Sequence, residues 1–280
     1  MRKKLLVLGA FVSVVMLVSC TGSKKEAVTY TPEEIADAGQ VVKYYDTSLA
    51  LLKNLVKERD VNAVLGYMEQ QAKVQMFSHI MSPVISKKDS AAGIQPGDYF
   101  GDDVRQNLIQ NYTELFQSRG QFYANFNKYL SLLKEKKTEG IADLLNDNYE
   151  LSVEMSECKQ NIFDILSPIV GQAQQVLLAE NPVKEQIIAM KKMSLTMQSI
   201  INLYARKHVE DKARLDLKIM QLDTAEKLPA VKGHEEQTEK FKDFLSKAEE
   251  FMKIVQDIRQ KNSYTEEDFD EISSYGLSII

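Results

Sequence analysis

The sequence predicts an all-α protein, an elongated antiparallel bundle of long helices with coiled-coil-like seams. Three observations lead to this fold class. Apolar residues recur at helical three- and four-residue spacing over most of the chain. Helix-start signals, such as Thr31-Pro32-Glu33-Glu34, precede several of these stretches. Outside the N-terminal apolar run, no stretch alternates β-branched and polar residues as a strand would.

The N-terminus has the pattern of a secretory signal peptide. Three basic residues at positions 2–4 precede an almost wholly apolar run from Leu5 to Val18. A helix needs roughly 20 apolar residues to span the hydrocarbon core, so this run is too short for a mature transmembrane anchor. We therefore predict a signal peptide at residues 1–19.

The residues that follow, Leu17-Val18-Ser19-Cys20, resemble the lipobox of bacterial lipoproteins. That resemblance implies a lipid on the Cys20 thiol, cleavage before Cys20 and acylation of the new amine. Two or three acyl chains anchor a protein stably, whereas one binds only marginally. The alternative is an ordinary secretory signal with a chance cysteine. Residues 20–30 are then the lipidated cysteine and a tether, and residues 31–280 the helical bundle domain.

The charge of the chain argues against binding to nucleic acid. Without the three basic residues of the signal, 32 basic residues remain against 40 acidic ones, a net charge near −8. Cys158 is the one cysteine besides Cys20, so no structural disulfide within the chain is expected. Because Cys158 lies on an apolar stripe, a buried inert thiol is favoured over a reactive one.

The first helix should begin after Thr31, and the second should run from about Asp60 to His79. An aperiodic stretch of glycines and prolines then covers Ser82 to Asp102, a length typical of functional or mobile loops. The predicted inward residues of the two helices are Ile35, Ala38, Val42, Tyr45, Leu49, Leu52 and Val56, then Val61, Val64, Met68, Ala72 and Met76.

Two longer helices should follow, with Asp102 or Asp103 as the cap of the first. Gly120 suggests a close helix crossing, Asn148 a buried polar residue that sets register, and Pro168 a kink or an end. An aromatic row in the first is a packed core or a ligand-binding stripe. The predicted inward residues are Tyr112, Leu115, Phe116, Phe122, Phe126, Tyr129 and Leu133, then Ile141, Leu144, Leu151, Met155, Cys158, Ile162 and Ile165.

Asn181-Pro182 should start a long helix to about Leu228, and Pro229 and Gly233 a turn. Thr265 should cap a short last helix. One elongated domain is predicted, or alternatively two subbundles divided near Pro168 or Pro182. The predicted inward residues are Met190, Met193, Met197, Ile200, Tyr204, Ala205, His208, Leu215, Ile219 and Leu222, then Phe241, Phe244, Ala248, Phe251, Val255, Ile258, Phe269 and Ile272.

The search for catalytic or metal-binding motifs finds none of the common ones. The chain has no phosphate-binding glycine loop, no nucleophile elbow and no His-Glu-x-x-His zinc motif. The weak metal candidates are His208 and His234 with the acids that follow each, and a loop cluster of Asp98, Asp102 and Asp103. We therefore predict no metal, no organic cofactor and no enzymatic activity.

The overall design resembles the helical lipoproteins of Gram-negative Bacteroidota. Lys43-Tyr44-Tyr45 and Asp270-Glu271-Ile272 with Tyr275 are similar to residues of one family of unknown function among them. In such lipoproteins a residue other than aspartate after the cysteine, here Thr21, implies delivery to the outer membrane. Ser23-Lys24-Lys25-Glu26 partly resembles a surface-export signal, so the periplasmic face and the cell surface both stay open.

The predicted function is that of a membrane-tethered binding or scaffold module. Its expected partners are the membrane, through the lipid on Cys20, and an envelope protein or a glycan. Tyr99 and Phe100 are the predicted partner-binding residues, because aromatic side chains on a polar loop are often binding hot spots. Alternatively, both side chains fix the loop onto the bundle. The alternative function is a small-ligand carrier or enzyme with a site inside the bundle.

Overall fold

The structure, a computed structural model, describes residues 29–70, 95–204, 216, 218–219, 228–261 and 265–275. In these ranges the protein is helical and contains no strand, which confirms the predicted fold class. The predicted signal peptide, Cys20 and most of the tether lie outside the described residues, as do Ala72, Met76 and His208. The helices are α1 (Pro32–Leu55), α2 (Glu58–Glu69), α3 (Asp102–Lys134), α4 (Ile141–Leu177), α5 (Lys184–Tyr204), α6 (Glu235–Lys261) and α7 (Glu266–Ser273).

Helix α1 begins with the predicted capping box. The Thr31 hydroxyl accepts a hydrogen bond from the Glu34 amide at 3.2 Å, and the Glu34 carboxylate accepts one from the Thr31 amide at 2.7 Å. Two amides that have no partner within the helix are thereby satisfied. Pro32 occupies the first turn, where its missing N–H costs nothing. Local sequence alone therefore defines this helix start.

The buried face of α1 differs from the predicted seam. Ile35 is 45% exposed, and Val42 and Leu49 are only partly buried. A strict heptad pattern of apolar residues is typical of a helix that packs against one partner helix. Helix α1 packs against α4 and also against Phe100, so more of its surface is buried. The buried stripe of α1 is consequently wider than the predicted seam and rotated around the helix axis relative to it. The buried side chains on α1 that the seam omits are Val41, Tyr44, Ser48, Leu51 and Leu55.

Helices α1 to α4 form the first part of the bundle. Glu114 of α3 lies beside Cys158 of α4, and Phe122 lies beside Asn148, so α3 and α4 are antiparallel. By the same reasoning, α1 and α2 run antiparallel to α4 and parallel to α3. Helices α1 and α2 run in the same direction and so count as one rod, beside α3 and α4. Three rods in mutual contact cannot all be antiparallel to one another, so one pair must be parallel.

Asn148 is fully buried, as predicted, where α2, α3 and α4 meet. Its amide nitrogen donates to the Phe122 carbonyl oxygen at 3.2 Å and contacts the Met68 sulfur at 3.3 Å. Shifting one helix along another would leave this amide without its acceptor, at a cost of about 1–3 kcal/mol. The residue therefore favours a single register of the three helices.

Three other local predictions for α3 and α4 were wrong. Gly101, not Asp102 or Asp103, is the N-cap of α3, and both aspartates lie in the first turn. Gly120 marks no close crossing, since a Cβ there would meet nothing within 4 Å. Leu151 is only partly buried. Of the kink or end predicted at Pro168, the end does not occur, because α4 continues to Leu177; Pro168 lies exposed, where water can solvate the carbonyl that the proline leaves without a donor.

Helices α5 to α7 form a second hydrophobic cluster. Every predicted inward residue of α6, from Phe241 to Ile258, is buried. Thr265 caps α7 in a capping box with Asp268, and Ile272 of α7 is fully buried. The connection at Asn181-Pro182 joins this cluster to the first one, and Lys218 forms an ion pair across to Asp164 of α4 at 3.2 Å.

No helix within the described ranges combines the length and the apolar character needed to cross a membrane.

Candidate functional site

The loop at residues 95–101 places the two predicted binding residues differently. Phe100 is 2% exposed, and its ring meets that of Tyr44 edge to face at 5.1 Å. Its amide donates to the Gly97 carbonyl oxygen at 3.1 Å, which closes a tight turn. Phe100 therefore presents no surface to a partner. It has the alternative role considered for it, which is to fix the loop onto the bundle. Tyr99 is half-buried, and its ring lies 4.9 Å from that of Phe100.

The aspartates of this loop form salt bridges with an arginine. Arg105 lies 3.1 Å from Asp98 and 3.7 Å from Asp102, and its Nε donates to the Pro96 carbonyl oxygen. Near His234, Glu235 accepts from the Gly233 amide and Glu236 pairs with Lys240. Throughout the described ranges, no three histidine, cysteine or acidic side chains are grouped as metal ligands. These acids serve local structure.

A charged network that the sequence did not indicate lies where α1 ends. Arg119 of α3 donates to the Leu55 carbonyl oxygen at 3.0 Å, and Lys159 of α4 donates to that of Val56 at 3.4 Å. Lys159 also pairs with the buried Glu58 at 3.3 Å. Cations are favourable at a helix C-terminus, where carbonyl groups lack partners. The network therefore stabilises the break between α1 and α2, and its charges are engaged in structure.

Cys158 is buried in the first hydrophobic cluster, as predicted. Burial is the main reason why the pKa of its thiol is raised to about 12, and the neighbouring Glu114 carboxylate, 3.9 Å from the sulfur, raises it further. A thiol with this pKa is protonated near neutral pH, whereas nucleophilic cysteines react as thiolates. Cys158 is therefore unsuited to catalysis.

We expect iodoacetamide to modify native Cys158 on the order of a thousandfold more slowly than the unfolded chain at pH 8, from its low thiolate fraction and burial. Mapping the alkylated peptide by mass spectrometry, with and without urea, measures this ratio. Equal rates would show an accessible thiolate.

The stability of the fold should also depend on the ionisation of Cys158. The pKa of its thiol in the folded chain exceeds the ordinary value of 9.0, so the thiol's contribution to stability is lost as pH rises from about 9 towards 12.

A pocket opens between the beginning of α1 and the end of α4. Its volume is about 110 Å³, and Tyr99 from the loop closes one side of it. Glu34 and Asp37, one helical turn apart on α1, bring two carboxylates to it, and Tyr30 lies at its edge. The apolar walls consist of Ala38, Val41, Ile169, Ala173 and Val176, and the α4 residues Gln172 and Gln175 line the pocket as well.

The surroundings of this pocket are acidic and partly apolar. Neither residues 32–42 of α1 nor residues 160–183 of α4 and its connection include a lysine, arginine or histidine. Two of the exposed large apolar side chains, Ile35 at 45% and Leu177 at 41%, belong to the same helix ends. Because α1 and α4 are antiparallel, helical geometry places both on one side of the pocket.

Sequence reasoning had selected Tyr99 but not the pocket that it lines. The other lining residues lie more than 100 positions apart in the chain, on two helices whose pairing no local pattern specifies. The absence of basic residues from both segments was the one signal visible in the sequence. That absence indicates an acidic surface only when the two segments are known to be adjacent in the fold.

Two family models match the chain. Residues 32–180 match a domain of unknown function, DUF6845, and residues 182–280 match the DUF3829-like C-terminal domain. Their boundary coincides with the Asn181-Pro182 connection between the two hydrophobic clusters. No curated protein matches the chain.

Solved structures of two Bacteroides proteins are similar to it. An alpha helical protein from Bacteroides fragilis NCTC 9343 is 50% identical, with a TM-score of 0.82 over 89% of this chain and 99% of that one. A DUF3829-like protein from Bacteroides thetaiotaomicron VPI-5482 is 48% identical, with a TM-score of 0.76 over 89% of this chain and all of that one.

Proposed function

This chain belongs to the helical family that the DUF6845 and DUF3829-like domains define, and from that premise we propose that it is a lipid-anchored envelope protein that acts by binding. In this proposal Cys20 carries the lipid, and the bundle stands outside the cytoplasm on the outer membrane. The partner is another envelope molecule. The lipobox-like Leu17-Val18-Ser19-Cys20 and the charged tether support the anchor.

The observation that carries the proposal is the pocket between α1 and α4. Two long helices form its walls, and helices hold a binding surface more rigidly than loops do. Tyr30, which lines the pocket, is the last residue of the predicted tether, so the pocket belongs to the end of the bundle at which the tether enters. The exposed Ile35 and Leu177 extend the apolar surface beside it.

The alternative, a carrier or enzyme with an internal site, has less support. Sites for small organic ligands usually measure roughly 300–1,000 Å³, whereas this pocket measures about 110 Å³. The buried charges of Arg119 and Glu58 and the partly buried charge of Lys159 are engaged at the end of α1. The Cys158 thiol has too high a pKa to act as a nucleophile. Surface contact is therefore the better supported function.

The test is crosslinking in the native envelope, comparing wild type with Ile35→Asp combined with Leu177→Asp. We expect the double variant to lose at least one reproducible neighbour, by about tenfold, because charges would stand on the contact surface. Ile109→Asp is the matched control, since Ile109 is also exposed but belongs to α3, which contributes no residue to the pocket.

Circular dichroism and thermal unfolding of all variants confirm that the fold is intact. An unchanged set of neighbours in the double variant would contradict the proposal. One equivalent of metal bound per purified chain would favour the enzyme alternative instead.

A further inference from the structure

The pocket between α1 and α4 combines mostly apolar walls with two acidic residues that form no ion pair in the described part of the chain, and we infer that it binds a protein segment bearing one aliphatic or aromatic side chain beside a lysine or arginine. The inference rests on the proposed binding function and names the chemical class of the partner. It commits to a protein segment, and not to a glycan or a lipid.

The size and the walls of the pocket define the central group of the partner. A protein cavity of about 150 Å³ with apolar walls holds a benzene ring and stays dry otherwise, and this pocket measures about 110 Å³. The exposed surface of the pocket is mostly apolar, although Gln172 and Gln175 also line it, so an apolar side chain matches it better than a sugar does. A leucine, isoleucine or phenylalanine side chain fits both the volume and the polarity.

The charges around the pocket define the flanking group. Glu34 and Asp37 border the cavity, and neither forms an ion pair with a basic side chain in the part of the chain that the structure describes. Residues 32–42 and 160–183 contain no base of their own. A cation beside the inserted side chain would therefore meet the Asp37 carboxylate and the second oxygen of Glu34, whose Oε2 already accepts hydrogen bonds from the Thr31 amide and hydroxyl. The same charges disfavour anionic lipid headgroups.

Tyr99 contributes the third wall and depends on Gly97. A Cβ atom at Gly97 would overlap the Tyr99 ring, so that ring lies directly against the glycine backbone. Its face can pack on an apolar side chain or on a guanidinium group. Gly97→Ala therefore displaces the Tyr99 ring while every residue that lines the pocket keeps its identity. The backbone can accept alanine, because the φ angle of Gly97 is not in the positive range.

The experiment uses the mature lipoprotein in nanodiscs of phosphatidylcholine and four fluorescent capped octapeptides, read by anisotropy. Two peptides carry a central leucine flanked by lysines or by glutamates, and two carry a central alanine with the same flanks. We expect the lysine-flanked leucine peptide to bind at least tenfold more tightly than the other three.

Three variants connect this binding to the pocket. Asp37→Lys should weaken the lysine-flanked peptide at least tenfold and reverse the preference towards glutamate flanks. Gly97→Ala should weaken the leucine peptides while keeping the preference for lysine. Asp143→Lys, a charge reversal at the exposed start of α4, is the matched control and should leave the binding of all four peptides unchanged. Unchanged thermal unfolding excludes a folding defect.

Equal binding of lysine- and glutamate-flanked peptides, or no effect of Asp37→Lys, would overturn the inference. Displacement of the peptide by palmitate or by phosphatidylglycerol vesicles would also overturn it, in favour of a lipid occupant. If the peptides fail while Ile35→Asp with Leu177→Asp still loses envelope neighbours, only the partner class is wrong. If both experiments fail, the proposed binding function is wrong as well.

Discussion

Replacing Cys20 with alanine should abolish membrane anchoring of the protein. Lipid attachment needs the thiol, and the peptidase that cuts lipoprotein signals needs the lipid, so precursor should accumulate without acyl chains. Intact-mass analysis and fractionation of the envelope measure the two effects. Stable anchoring takes two or three acyl chains, so the expected loss is nearly complete.

Cys158→Ala is the matched control for this experiment. It removes the other cysteine of the chain but leaves Leu17-Val18-Ser19-Cys20 intact, so the acylated, membrane-bound form should persist. A small loss of stability is expected from the shallow cavity at this buried position. If both wild type and Cys20→Ala are cut and their mature masses differ only by the sulfur atom, with no acyl chains on either, an ordinary signal peptidase cuts the chain.

Replacing Phe251 with alanine should destabilise the C-terminal helices by about 3–5 kcal/mol, the usual cost of removing a buried phenylalanine. Phe251 is fully buried in the second hydrophobic cluster, and its ring lies 5.8 Å from that of Tyr275, just after α7. The cavity would loosen the contact between α6 and α7. Urea unfolding followed by circular dichroism measures the free energy of unfolding.

Lys247→Ala, at an exposed position of the same helix, is the control and should change stability by less than about 0.5 kcal/mol. A loss below about 1 kcal/mol for Phe251→Ala would show that the second cluster is not a packed core. Phe251→Asp should prevent folding of this part altogether, because an unpaired charge would enter the cluster.

The sequence by itself determined where several helices start and which side of α6 is buried. The capping boxes at Thr31 and Thr265 involve residues three positions apart, so the local chain contains everything that they need. The apolar stripe of α6, from Phe241 to Ile258, is regular and flanked by charged residues, which leaves one way to bury it.

Only the tertiary structure decided which face of α1 is buried and what Phe100 does. Helix α1 has apolar residues over a wide arc, so its neighbours α4 and Phe100 select the buried part and leave Ile35 exposed. In the sequence, Phe100 has the features of an exposed aromatic residue on a loop. The structure shows that its ring packs against the ring of Tyr44. Burial depends on partners that are distant in sequence.

The tertiary structure also decided the candidate site. Tyr99 was predicted from its own residue type, whereas Glu34, Asp37, Ile169 and Ala173 gained their role from the antiparallel pairing of α1 and α4. A pocket is a space between elements, and no periodicity within one helix encodes it. Sequence patterns specify which surfaces a helix must bury, and the packing of several helices together decides where an apolar surface stays open.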